Sequence, residues 1–217
     1  MKTDLQLRDD VLAELKWTPD VDETDVGVIV KDGIVTLTGH MKSYAEKHAA
    51  ERATQRVAGV KGVAVELKVQ LPLSSQRTDA DIAAAAERAL EWDALVPSNA
   101  VRPTVEGGWV TLDGRVEWDY QRSAAHRAVR NLLGVTGVTN NVAIVPRASL
   151  KNIEQAIHGA LERQAEREAK HIEVSVSGNQ VTLRGKVHSW AERTAAQGAA
   201  WSAPGVATVV NHIEVTY

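Results

Sequence analysis

The chain has no cysteine and no phenylalanine, and its aromatic complement is six Trp and three Tyr in 217 residues. Without thiols there is no disulfide scaffold, no thiolate nucleophile, no Cys-ligated zinc and no lipidated Cys anchor. With so few aromatics and only two Met, the core must be built from aliphatic side chains. Strong charge is also missing. The 25 Lys plus Arg stand against 28 Asp plus Glu, a formal net charge of -3, so no global basic field would hold the polyanionic backbone of a nucleic acid. Long apolar runs are absent too. The opening MKTDLQLRDDVLAELKW mixes acids and bases among spaced apolar residues and has neither the core of a signal peptide nor a membrane span. The expectation is a cytoplasmic protein. No P-loop or dinucleotide fingerprint occurs, and no cofactor is implied.

What is present is repetition. At 44% hydrophobic and 24% charged residues the composition is that of a soluble globular protein. VTLTG at 35–39 returns as VTLDG at 110–114 and as VTLRG at 181–185. Sliding the chain on itself until Thr3 meets Thr78 aligns the first copy with the second, and bringing Thr78 onto Ser149 aligns the second with the third. The copies are 3–71, 78–146 and 149–217, equal in length and matched without a gap, and the first domain is taken as 1–71. The difference between the two offsets lies in the linkers, PLSSQR and RA.

Each copy opens on an i, i+4, i+8 apolar stripe: Leu7, Val11, Leu15, then Ile82, Ala86, Leu90, then Ile153, Ile157, Leu161. That spacing predicts a helix with one buried face. Alternation follows at Val26, Val28, Val30 and their counterparts Val101, Pro103, Val105 and Ile172, Val174, Val176. Pro103 cannot donate a ladder hydrogen bond, so this strand is expected at a sheet edge. Asp32–Gly33, Gly107–Gly108 and Gly178–Asn179 tolerate the positive φ of a tight hairpin, so the VTL strand should return antiparallel. After Gly39, Gly114 or Gly185 a second helix is expected, with a capping box at Ser43/Glu46 and Ser189/Glu192 and none in the middle copy, where Trp118 stands at the cap. This helix carries an alanine stripe (Ala49, Ala50 and Ala53 and their counterparts) that lets it sit close on a sheet. A third alternating strand closes the unit. A strand-helix-strand crossover usually joins parallel strands. The fold class is therefore α+β: three tandem αββαβ units, each a small mixed three-stranded sheet covered on one face by two helices. Such small units, joined by short linkers, should be marginal alone and should lean on one another.

The order of elements, V-T-L-x-G, and a G-V-x-x-V segment at one fixed distance after that glycine (Gly39 to Gly59, Gly114 to Gly134, Gly185 to Gly205) resemble the BON, or transport-associated, domain. The resemblance covers essentially the whole chain. What it implies is varied: periplasmic members with two BON domains are osmotic-stress proteins, a lipoprotein member recognises anionic phospholipid, and a cytoplasmic member with another small domain binds potassium. No enzyme is implied. This chain departs from these in showing no signal sequence, no lipid-attachment Cys and no partner domain of the potassium-binding type.

Candidate sites follow from residue types. On the middle copy's second helix Arg122, His126 and Arg130 recur at i, i+4, i+8 beside Arg127, with Trp118 and Tyr120 at its start, an aromatic-plus-basic set suited to an anionic lipid surface. Another protein is the other expected target. The acidic loop Asp20, Asp22, Glu23, Asp25 is a weak hard-cation candidate, and the resemblance to the potassium-binding family member implies, as the alternative, a potassium- or calcium-responsive regulator. GVKG at 59–62 and GVTG at 134–137 spell the G-x-x-G of a nucleic-acid clamp, but strand alternation follows directly, so they are read as helix-to-strand turns and no nucleic-acid partner is expected. The seven His (40, 48, 126, 158, 171, 188, 212) show no metal-ligand spacing and are expected at the surface. Trp17 and Trp92 share one repeat position, with Arg163 in the third copy, while Trp109, Trp118, Trp190 and Trp201 are not common to all copies. These large side chains are expected at joints between copies or at a partner surface.

Overall fold

The computed structural model describes residues 2–146, 153–164 and 172–216. The RA linker and His171 lie outside these residues, and the side chains of His158, Leu161 and Arg163 are likewise not described.

In the first copy α1 (Asp4–Trp17) precedes β1 (Val26–Lys31), β2 (Ile34–Met41), α2 (Tyr44–Arg56) and β3 (Gly62–Val69). The second copy repeats this as α3 (Asp79–Trp92), β4 (Val101–Glu106), β5 (Trp109–Val116), α4 (Asp119–Arg130) and β6 (Gly137–Asn140), whose strand resumes as β7 (Ala143–Ile144). The third runs α5 (Ile153–Gln164), β8 (Ile172–Ser177), β9 (Gln180–Val187), α6 (Trp190–Trp201) and β10 (Thr208–Val215). In every copy the VTL strand is central. It is antiparallel to the strand before it, with Val26 opposite Gly39, and parallel to the strand after the crossover, with Ile34 opposite Gly62. Pro103 accordingly falls on edge strand β4.

Local chemistry starts each element where it starts. Thr3 and Thr78 accept from the amides of Gln6 and Asp81 and so cap α1 and α3. First-turn acids then reach the hairpin of the same copy: Asp4 accepts from the amides of Asp32 and Gly33 at 2.9 and 3.1 Å, and Asp79 from those of Gly107 and Gly108, both at 2.8 Å. Ser43 and Ser189 cap the second helices as expected. The middle copy differs from the expectation of no box. Trp118 offers no side-chain acceptor, but the Gln121 carboxamide takes the amides of Glu117 and Trp118 at 2.9 and 3.0 Å, so the return half of the box survives. The glycine of V-T-L-x-G is required by close approach. Gly39 and Gly114 have φ of +128° and +151°, and a Cβ on either would overlap a carbonyl oxygen, that of Asp25 or of Ala100.

Three cores result, one per copy, of buried aliphatic and Ala side chains around Leu15 and Leu37, Leu112 and Val129, and Ile157 and Leu183. They are not independent. Tyr44 and Trp201 pack against the second core and Trp190 against the first, so side chains of the second helices cross from copy to copy.

Candidate functional site

The second helices α2, α4 and α6 make three joints, and a common logic runs through them. Tyr44 and Trp190 hold the same position in the repeat, at the start of the helix. Tyr44 crosses from the first copy to the second, its hydroxyl reaching the Val138 backbone on β6, and Trp190 crosses from the third copy to the first. The middle copy has Asp119 at this position. Asp119 pairs with Arg122, and the Arg122 guanidinium lies 4.7 Å from the ring centroid of Trp201 at the end of α6. The joints thus run head to tail, first to second, second to third and third to first, and close on themselves.

The first joint is the polar one. The His126 ring on α4 lies edge-on to Tyr44 and His48 of α2, with centroids 6.5 and 5.9 Å apart, and His48 stacks on Tyr44 at 6.4 Å. Burial, then the positive charges of Arg130, His126 and Arg52, push the His48 imidazole down to about 4. His126 is lowered by burial and by Arg130 and Arg127. Burial, Arg52 and Arg127 lower Arg130 itself. The expectation of surface histidines holds for the exposed His40, His188 and His212 and fails for His48 and His126, because Tyr44 draws both rings into a joint.

The aromatic-plus-basic set on α4 is therefore divided. Arg122, His126 and Arg130 share one face as their spacing requires, but that face turns toward Trp201 on one side and Tyr44 and His48 on the other rather than outward. Tyr120 and Arg127 stay exposed, and Trp118 is half-buried against Tyr120, with centroids 6.3 Å apart. The acidic loop is divided as well. Asp22 accepts from the Lys42 ammonium and from the Thr24 hydroxyl, each at 2.7 Å, and Asp25 lies 3.6 Å from Lys42. The Lys42 contact holds the Asp22 carboxyl down at about 2. Lys42 thus already supplies the cation, Glu23 opens a short 3-10 turn, and Asp20 faces a different cleft. Among the described residues no three His, Asp or Glu side chains are grouped to hold a metal ion. Gly59, Gly134 and Gly205 sit with positive φ between second helix and third strand, where Lys61, Thr136 and Ala207 donate to the hairpin carbonyls of Gly33, Gly108 and Asn179. These are helix-to-strand turns, as read from the sequence.

Trp190 and Trp201, which the copies do not share, stand at joints. Trp17 and Trp92 do not: they are 84% and 87% exposed at the ends of α1 and α3. Tyr44, His48, Arg52 and Arg56 were not singled out by their sequence pattern. The available signal was Tyr44 aligning with Trp190.

The BON domain pattern matches residues 3–70, 78–146 and 149–217, and the chain belongs to the BON domain family. Among curated proteins it is similar to osmotically-inducible protein Y of Escherichia coli strain K12, at 27% identity over 136 residues, spanning 61% of this chain and 68% of that protein. Among solved structures it matches CdsD, a structural protein of the type III secretion system of Chlamydia trachomatis, at 16% identity over 96% of this chain and 91% of that one, with a TM-score of 0.27. The C-terminal domain of CdsD matches at 15% identity over the full length of both chains, with a TM-score of 0.26. These superpositions are too loose to bear on function.

Proposed function

We propose that the chain is a non-enzymatic, stress-related binding scaffold whose target is another protein. The relationship to an osmotically inducible protein supports the stress association. The observation that carries the choice of target is the pair Trp17 and Trp92. They occupy one repeat position, and both are largely exposed at the ends of the first helices. Exposed indoles are the side chains that most often anchor protein interfaces. Glu91 and Asp93 flank Trp92, and Trp17 has Lys16 beside it with Glu14 and Asp20 within three residues, so neither indole sits in the basic cluster that an anionic membrane would favour. The basic row that would have met a membrane is engaged between copies.

The test compares the wild-type chain with Trp17→Ser/Trp92→Ser by cross-linking and mass spectrometry in cells shifted to high osmolarity, beside flotation with phosphatidylglycerol vesicles. A partner cross-linked by the wild type and lost in the variant, with no vesicle binding, supports the reading. Vesicle binding that rises with anionic lipid and falls with salt replaces it with the lipid reading. A rise in thermal stability specific to potassium or calcium replaces it with the cation-responsive one.

A further inference from the structure

Beside the first joint lies a cleft of about 530 Å³ whose walls come from α2, the end of α4 and the loops that flank them. His48, Arg52 and Arg56 line it at i, i+4, i+8 along α2, and Arg130 enters from the other copy. The compensation of these charges is uneven. Arg56 is committed to Glu14, with Nε and Nη2 both on Oε1 at 3.0 and 2.8 Å. Neither Arg52 nor Arg130 forms an ion pair among the described residues, although each raises the electrostatic cost of the other. Two carboxylates share the cleft. Glu46 accepts from the amides of Asp22 and Lys42, and neither it nor Asp20 forms an ion pair with Arg52 or Arg130. Two copies thus bring guanidinium groups to one cleft, Arg52 and Arg56 on its exposed side and the half-buried Arg130 opposite, where burial and the Arg52 charge disfavour the Arg130 cation.

We propose that this cleft is a binding site for a phosphate-class oxyanion, held between the Arg52 and Arg130 guanidinium groups, with Nη1 of Arg56 as a third donor. Guanidinium is the side chain suited to such a ligand, because its planar fork donates two parallel N–H···O bonds. The ligand ties the first copy to the second, so occupancy reads out as stiffening of that joint. Binding also draws a proton. His48 borders the same space, the groups facing it are Tyr44 and Arg52 on α2 and His126 and Arg130 on α4, and a bound oxyanion offsets the charge of the two arginines. The His48 titration, low in the free chain, therefore moves upward when phosphate is bound. The proposal does not rest on the exposed tryptophans, so either can fail without the other.

The experiment titrates the full chain with inorganic phosphate in phosphate-free buffer, by calorimetry and by thermal unfolding, with sodium chloride at matched ionic strength as the control. Saturable binding and a rise in melting temperature beyond the chloride control are expected. Arg52→Gln and Arg130→Gln should each weaken binding about tenfold, as loss of a charge-assisted hydrogen bond does, while Arg115→Gln on the exposed part of β5 leaves it unchanged. In the absence of phosphate Arg130→Gln should be at least as stable as the wild type, which separates lost binding from lost folding. Vesicles of phosphatidylglycerol form the second arm. Binding of vesicles but not of free phosphate, lost in the two variants, assigns the oxyanion to a lipid head group. Stabilisation matched by chloride, or retained in both variants, or no binding of either probe, overturns the proposal.

Discussion

Acidification should loosen the first joint, and the size of the effect can be worked from His48. In the folded chain its imidazole titrates near 4, chiefly through burial and then through Arg130, His126 and Arg52, against 6.5 for a free histidine. Between those values the unfolded chain holds a proton that the folded chain refuses. Stability therefore rises with pH through the window and is lost as the pH falls through it, while above about 6.5 both states are neutral and His48 contributes nothing. At about 1.36 kcal/mol per unit, the whole gap corresponds to roughly 3.4 kcal/mol, of which roughly 2 is already lost at pH 5. The ring is only half-buried, and solvent screening reduces that loss to about 1 kcal/mol. His126 is lowered for the same reasons and shifts the balance in the same direction.

Urea unfolding at pH 7.5 and pH 5 in phosphate-free buffer gives the measurement. The wild type should lose about 1 kcal/mol more than His48→Gln, whose amide does not titrate. Proton NMR of the His48 ring supplies the independent check. A midpoint at or above 6.5, or an identical pH slope in the two proteins, would refute the account of the joint.

Two further predictions address the other joints. The Trp190 indole N–H is buried without a hydrogen-bond partner, so Trp190→Phe, which keeps an aromatic ring and removes the orphan donor, should be neutral or stabilising by up to about 1 kcal/mol. Trp190→Ala should cost about 2–4 kcal/mol by thermal or chemical unfolding, because it empties the space that the third copy fills in the first. Arg122→Ala and Trp201→Ala, taken as a double-mutant cycle, should show a coupling of about 0.5–1 kcal/mol, since the guanidinium lies over the ring; strict additivity would show that the stacked geometry contributes nothing.

Most of the fold was legible because it depends on features every copy must keep. Leu7, Val11 and Leu15 are buried along one face of α1, as their spacing requires, and Ile82, Ala86 and Leu90 repeat the pattern on α3. Gly39 and Gly114 recur because no other residue fits against the carbonyl opposite. Pro103 announced an edge strand by lacking a donor. The joints were only half legible. A row at i, i+4, i+8 says that Arg122, His126 and Arg130 share a face, but the direction of that face depends on what the equivalent helix of the preceding copy brings to it. His48 and His126 form no motif in the chain and become neighbours only when two copies dock. Trp17 and Trp92, expected at a joint or a partner surface because the third copy has Arg163 in their place, are exposed on α1 and α3, whereas the joints are built by α2, α4 and α6.

The divergence of the joints has its own physical logic. Three identical units in one chain would present identical head-to-tail surfaces, and any copy could dock on any other, within the chain or on a second molecule. Here each joint is written differently at equivalent positions: Tyr44 with two imidazoles in the first, Asp119, Arg122 and Trp201 in the second, Trp190 with Arg193 stacked on it at 4.8 Å in the third. A mismatched pairing would set Asp119 rather than Tyr44 against the second core or leave the Arg122 charge without its ring, so wrong orders are disfavoured as well as the right one favoured. The same reasoning places the ligand-sensitive element. Among the described residues only the first joint combines titratable rings with uncompensated arginines, so it is the joint that pH and an oxyanion can adjust while the aromatic contacts of the other two hold the ring closed.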